Sequence, residues 1–196
     1  MVRTTRGLLI AAFALLLTGA SAAADPSAKI ETSLGTITVA LDAAHAPASV
    51  ANFIAYARAG HFDGTVVYRV VPDFVIQAGS YEADGTARPT RGPIPLESAN
   101  GLKNLRGTLS MARNDDPGSA TAEFFINLSD NPPLDPTPGA APNTTGYAVF
   151  AKVVDGMDVV DRIAASVLHG GKGPFPDAAP AFPVTIQKVT IIAASP

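Results

Sequence analysis

Short β-type runs cut apart by glycine and proline narrow what this chain can fold into more than any other feature. Lys29 to Thr32 and Thr36 to Leu41 alternate apolar and polar residues around Ser33-Leu34-Gly35, which reads as a β-hairpin. Thr108 to Ala112, Phe124 to Asn127, Tyr147 to Val154 and Val184 to Ile192 read as further strands. Two helical patterns interrupt them. Ala46-Pro47 opens the first, since proline is tolerated at the first helical position; Val50, Phe53, Ile54 and Ala57 then share one face, and Gly60 is placed to end it. Asp155-Gly156 leads into the second, with Met157, Val160 and Ile163 on one side. Many short strands with two helices predict a mainly β fold, a closed β-barrel capped by two α-helices.

One stretch carries more than fold information. Val67 to Gly79 reads Val-Tyr-Arg-Val-Val-Pro-Asp-Phe-Val-Ile-Gln-Ala-Gly. Proline presets the backbone for the first central position of a tight turn and aspartate suits the second, so Pro72-Asp73 predicts a hairpin between two runs of strand formers. Arg69 and Gln77 are not needed by a plain core hairpin. A guanidinium among valines is costly unless it reaches solvent, a partner or a ligand. Strict alternation places residues 67, 69 and 71 on one face and 75, 77 and 79 on another, so Arg69 and Gln77 can share a side.

Composition removes most other chemistries. The chain has 196 residues, a formal net charge of −3 and no cysteine, which excludes disulfides and thiol catalysis and argues against a nucleic-acid surface. His45, His61 and His169 are scattered, none at a metal-ligand spacing, and no nucleophile elbow, phosphate loop or dinucleotide fingerprint occurs. Asp115-Asp116 reads as solvent-facing charge. What is left is chemistry needing only shape, apolar surface and a hydrogen bond or two, with no cofactor and no metal. The N-terminus adds an address. Arg3 and Arg6 precede an apolar run from Leu8 to Leu17 and small residues through Ala24, the three parts of a secretory signal peptide. Residues 1–24 are expected to be removed, leaving a single domain over 28–194 that is periplasmic or secreted, with no stable membrane insertion and monomeric.

The stretch Tyr68 to Gly79 closely resembles the active-site signature of cyclophilin-type peptidyl-prolyl cis-trans isomerases. Asn104 to Ala112, Glu123 to Asn127, Leu134-Asp135 and Gly146 to Phe150 are similar to further blocks of that family in the same order, and Gly156 to Val160 to its second helix. The resemblance is to exported bacterial members and spans Ala28 to Ala193. It implies an eight-stranded antiparallel β-barrel closed by two helices, and isomerase (rotamase) activity on X-Pro bonds of unfolded or partly folded exported proteins, whose folding it would assist as a chaperone. A peptide-binding module with little turnover and a purely structural barrel are the alternatives.

Residue by residue, the resemblance makes Arg69 catalytic. Phe74, Val75, Phe125, Leu134 and Tyr147 would hold the proline ring, Gln77 would hydrogen-bond substrate backbone, and Ala112, Arg113 and Glu123 would border the peptide groove. The chemistry is physically sound. Rotation about a peptide bond faces a barrier of about 18–20 kcal/mol because the C–N bond is partly double. A guanidinium hydrogen-bonded to the prolyl nitrogen would localise its lone pair and weaken that resonance. This chain departs from the family pattern at several positions. Val75 stands where many relatives have Met, and Tyr68 and Tyr147 stand where many have His. Pro133 replaces an aromatic associated with binding the drug cyclosporin. Glu123 stands where Gln is common, and is expected to pair with Arg69 or Arg113. The proline-rich loop from Asn131 to Gly146 is expected either to gate the groove or to be a surface insertion.

Overall fold

A computed structural model describes residues 26–169 and 179–193. The expected leader, residues 1–24, lies outside them. The Gly/Pro-rich stretch from Leu168 to Pro183 reads as a loop in the sequence; its residues 170–178 also lie outside them, while Leu168–His169 and Ala179–Pro180 pair as short strands. Among the described residues ten strands and two α-helices follow in the order β1 (Ser27–Thr32), β2 (Gly35–Leu41), α1 (Pro47–Arg58), β3 (Thr65–Val71), β4 (Val75–Glu82), β5 (Thr108–Met111), β6 (Phe124–Asn127), β7 (Val149–Asp155), α2 (Met157–Ala164), β8 (Leu168–His169), β9 (Ala179–Pro180) and β10 (Ile186–Ile192), with a single 3-10 turn at Pro132–Leu134. Eight strands form one antiparallel sheet in the order β10-β1-β2-β7-β5-β6-β4-β3, while β8 and β9 pair separately.

The barrel is not closed, contrary to the sequence expectation. The sheet is an open half-barrel of 248°, and β3 and β10 form its edges. Among the described residues their backbones are joined by a bridge between Val66 and Thr185, by Gly64 N–H donating to Ile186 O (2.7 Å) and by Val67 N–H donating to Val184 O (2.9 Å). Two causes are visible. Pro180 and Pro183 precede β10 and have no N–H to extend a ladder. Register shifts on either side of Val67 bend β3 away from a straight pairing line.

Both helices bury their apolar faces in one core. α1 does so through Val50, Phe53, Tyr56 and Ala57, and Phe53 stacks on Phe62 (5.1 Å) and meets Phe124 (5.6 Å) and Phe150 (5.4 Å). Ala46 gives no side-chain cap, so the first-turn amides are satisfied from a distant loop. Glu97 accepts from Ala48 N–H (2.9 Å), Ser49 N–H (2.8 Å) and the Ser49 hydroxyl (2.7 Å). α2 buries Val159, Val160 and Ile163. With the core filled from inside, the outer face of β4, β5 and β6 is free to build a site.

Candidate active site

The hairpin β3–β4 closes at Val71-Pro72-Asp73-Phe74, where Phe74 N–H donates to Val71 O (3.1 Å) and Asp73 takes φ 58°. Across it Arg69 pairs with Gln77, and Gln77 in turn with Phe125 on β6. Strict alternation fails one residue earlier. Val67 pairs with Ala78 and Arg69 with Gln77, so Tyr68 is an extra residue in a β-bulge. Val67 consequently lies in the core with Val70, on the far side from Arg69. The bulge lets Tyr68 and Arg69 both reach Gln77.

Arg69, Phe74, Val75, Gln77, Ala112, Arg113, Phe125, Leu134 and Tyr147 line one pocket of about 150 Å³. Val75, Ala112 and Phe125 are buried beneath it, with Phe74, Leu134 and Tyr147 packed on them. Phe125 and Tyr147 meet edge to face at 5.5 Å, and the Arg113 guanidinium stacks over the Tyr147 ring at 4.8 Å. A larger crevice of about 290 Å³ lies elsewhere, lined by Leu41, Leu105 and Val149 among others. The smaller pocket is the better candidate because there a cation, an amide and an apolar wall converge. Pro133 is exposed and outside the lining.

Glu123 is not in this pocket and pairs with neither arginine. It borders an adjoining depression with Ala112, Arg113, Asn114, Ser119 and Thr121. Its Oε2 accepts from the Tyr68 hydroxyl (2.6 Å) and from Gln77 Nε2 (2.9 Å). Gln77 Nε2 also donates to the Tyr68 hydroxyl, and Gln77 Oε1 accepts from Arg69 Nη1 (3.3 Å). Arg113 is engaged elsewhere: it donates to Gly146 O (3.0 Å) and Asn114 O (2.7 Å) while stacked on Tyr147. Burial first, and then the Glu123 carboxylate, drive the Tyr68 phenol well above the ordinary tyrosine range, so it stays protonated and donates.

Sequence reading missed a buried polar spine that fixes the pocket walls. Asn131 Nδ2 donates to Phe74 O (3.0 Å) and to Asn127 Oδ1 (2.7 Å); Asn104 Nδ2 donates to Leu134 O (3.1 Å); and Ser110 Oγ donates to Asn104 Oδ1 (2.7 Å). Asparagines at the end of an expected strand and beside a loop were the available signal, since a buried amide must find partners. The proline-rich loop lies against the segment 98–104. Ser98 Oγ donates to Thr145 O (2.6 Å), Ala99 N–H to Asn143 Oδ1 (2.8 Å) and Asn104 N–H to Asp135 Oδ1 (2.9 Å). Within 131–147 only Leu134 and Tyr147 line the pocket, held together by Tyr147 N–H donating to Leu134 O (2.9 Å). Gly146 makes this closure possible: at φ +74° a Cβ would sit 2.6 Å from Pro136 N.

The family model for cyclophilin type peptidyl-prolyl cis-trans isomerases matches residues 27–191. The chain is 44% identical to peptidyl-prolyl cis-trans isomerase cyp18 of Streptomyces antibioticus over 84% of its own length and 97% of the relative's. It is 44% identical to peptidyl-prolyl cis-trans isomerase A of Dickeya dadantii, over 83% of each chain. It is 47% identical to peptidyl-prolyl cis-trans isomerase B of Escherichia coli, over 74% of this chain and 87% of that one. A Cryptosporidium parvum cyclophilin solved in the presence of the dipeptide Ala-Pro shares the fold with a TM-score of 0.67 at 23% identity, covering 87% of this chain and 99% of that one. Matched along its length by the family model and by bacterial relatives, the chain belongs to the cyclophilin-type peptidyl-prolyl cis-trans isomerases.

Proposed function

We propose that Arg69 is the catalytic group of this isomerase and that the surrounding pocket takes the proline of an X-Pro bond in an exported, unfolded or partly folded polypeptide, whose folding the enzyme assists. The observation that carries the reading is the convergence of the Arg69 guanidinium with an apolar pocket lined by Phe74, Phe125, Leu134 and Tyr147. The pyrrolidine ring enters against Phe125, and Arg69 donates to the prolyl nitrogen as the C–N bond twists. That nitrogen is a poor acceptor while planar and a good one when its lone pair is localised, so the interaction strengthens toward the transition state. A thousandfold acceleration requires about 4 kcal/mol, within reach of one charge-assisted hydrogen bond beside a dry wall. Ala112 and Arg113 border the path of the flanking peptide. The Ala-Pro dipeptide used with the Cryptosporidium parvum cyclophilin supports a proline-containing ligand here. No metal or cofactor enters this scheme.

Export rests on the leader features, Arg3 and Arg6 before the Leu8 to Leu17 run and the small residues to Ala24. The mature enzyme then works as a monomer in the periplasm or outside the cell. In a protease-coupled assay on a proline tetrapeptide, Arg69→Ala is expected to lower kcat/KM by about a hundredfold with folding intact. Equal rates for variant and wild type would remove Arg69 from this role.

A further inference from the structure

Tyr68 and Glu123 stand outside the pocket yet both hold its polar wall, through Gln77. The side chain of Gln77 is engaged at both ends: its carbonyl faces Arg69 Nη1 (3.3 Å) and its amino group faces Glu123 Oε2 (2.9 Å) and the Tyr68 hydroxyl. A glutamine amide exchanges those ends by a half turn with almost no change of shape, so its orientation is chosen by its partners. Turned the other way, it would set an amino group against a guanidinium, donor against donor. A carboxylate at 123 accepts only, and the phenol already gives its proton to that carboxylate (2.6 Å). Both therefore select the orientation that aims a carbonyl at Arg69.

We infer that Tyr68 and Glu123 are positioning residues: they lock the Gln77 amide, and Gln77 holds the Arg69 guanidinium at the pocket. The β-bulge is what makes this possible, because regular pleating would send Tyr68 to the opposite face from Arg69. The inference rests on Arg69 being the catalytic group. It goes further in making the neighbouring carboxylate an anchor for the machinery instead of a contact for the peptide.

The test separates kcat from KM for a proline tetrapeptide in Glu123→Met, Glu123→Gln, Gln77→Ala and the double variant Gln77→Ala/Glu123→Met, with Arg69→Ala alongside. Methionine keeps the bulk and removes the acceptor. Glu123→Met is expected to lose about tenfold in kcat with KM nearly constant, and Glu123→Gln, whose carbonyl can accept from both donors, to recover most of that loss. In the Gln77→Ala background the methionine should add less than about a twofold further loss, because its effect passes through Gln77. Wild-type kcat in Glu123→Met, a loss confined to KM, or full multiplication in the double variant would each overturn the proposal. If Glu123→Met does not fold, Tyr68→Phe alone and with Gln77→Ala reads the same coupling at about threefold. Failure of the underlying reading is distinguishable: it appears as an active Arg69→Ala.

Discussion

Gln77 shows how much one side chain can be asked to do. In this chain its amide is committed to Arg69, Tyr68 and Glu123, so the role of backbone recognition expected for it competes with a role in holding the guanidinium. A second residue with divided duties is His61. Its Nε2 lies 2.9 Å from Gly79 O, and its ring lies 4.6 Å from that of Tyr56. Burial, opposed by the Gly79 hydrogen bond and aided by Arg88 and Arg91, lowers its pKa below the ordinary 6.5. The sign follows directly: the unfolded chain takes up the proton at higher pH than the folded one. Stability from this residue is thus present above about pH 6.5 and is lost as pH falls below it. Thermal melts at pH 7.5 and 5.5 should show a smaller drop in Tm for His61→Gln than for wild type; equal drops would clear His61 of that role.

At the scale of elements, distant segments complete what local sequence leaves open. α1 begins at Pro47 with no capping side chain of its own, and Glu97 supplies the acceptors from a loop. Glu97→Ala is expected to cost about 1–2 kcal/mol, or roughly 3–6 °C in Tm measured by calorimetry, with turnover retained. The loop 131–146 is a different case. It contributes Leu134, and Tyr147 directly beyond it, to the pocket, while the stretch between them is pinned to 98–104. Its ends are already adjacent through the Tyr147–Leu134 hydrogen bond. Deleting Thr137 to Pro142 should therefore leave peptide kcat/KM within about twofold of wild type, as expected of an exposed insertion. A large loss would restore the idea of a gate.

Across the whole molecule, the open seam between β3 and β10 is the weak edge of an otherwise continuous sheet. The amides of Gly64 and Val67 depend on isolated bonds to Ile186 and Val184, whereas Ile126 sits between β4 and β5 in full ladders. Native-state hydrogen exchange is expected to be at least about tenfold faster at Gly64 and Val67 than at Ile126. Comparable protection at the three sites would mean that the seam opens only with global unfolding.

The order of the eight sheet strands and two helices, the Pro72-Asp73 turn and the shared side of Arg69 and Gln77 were readable along the chain, because period-2 alternation, helical spacing and turn chemistry are local physics; the short pair β8–β9 falls where the sequence reads as a Gly/Pro loop. The resemblance of ordered blocks named the pocket residues, and the fold brings them to one place, while Glu123, named with them, lies in the adjoining depression. Besides the buried asparagine spine, three features escaped a one-dimensional reading. The bulge at Tyr68 shifts a face by a single residue, which no pattern of valines announces. The partner of Glu123 depends on that bulge, so charge matching alone pointed to the wrong arginines. Closure of the barrel depends on whether two edges far apart in sequence come into full register, and the prolines before β10 prevent it. Local residue pattern dictates most of the strands, helices and turns, because their spacing and turn chemistry act over a few residues; which side chains meet is settled only in the folded chain, by register between strands that are not neighbours in sequence.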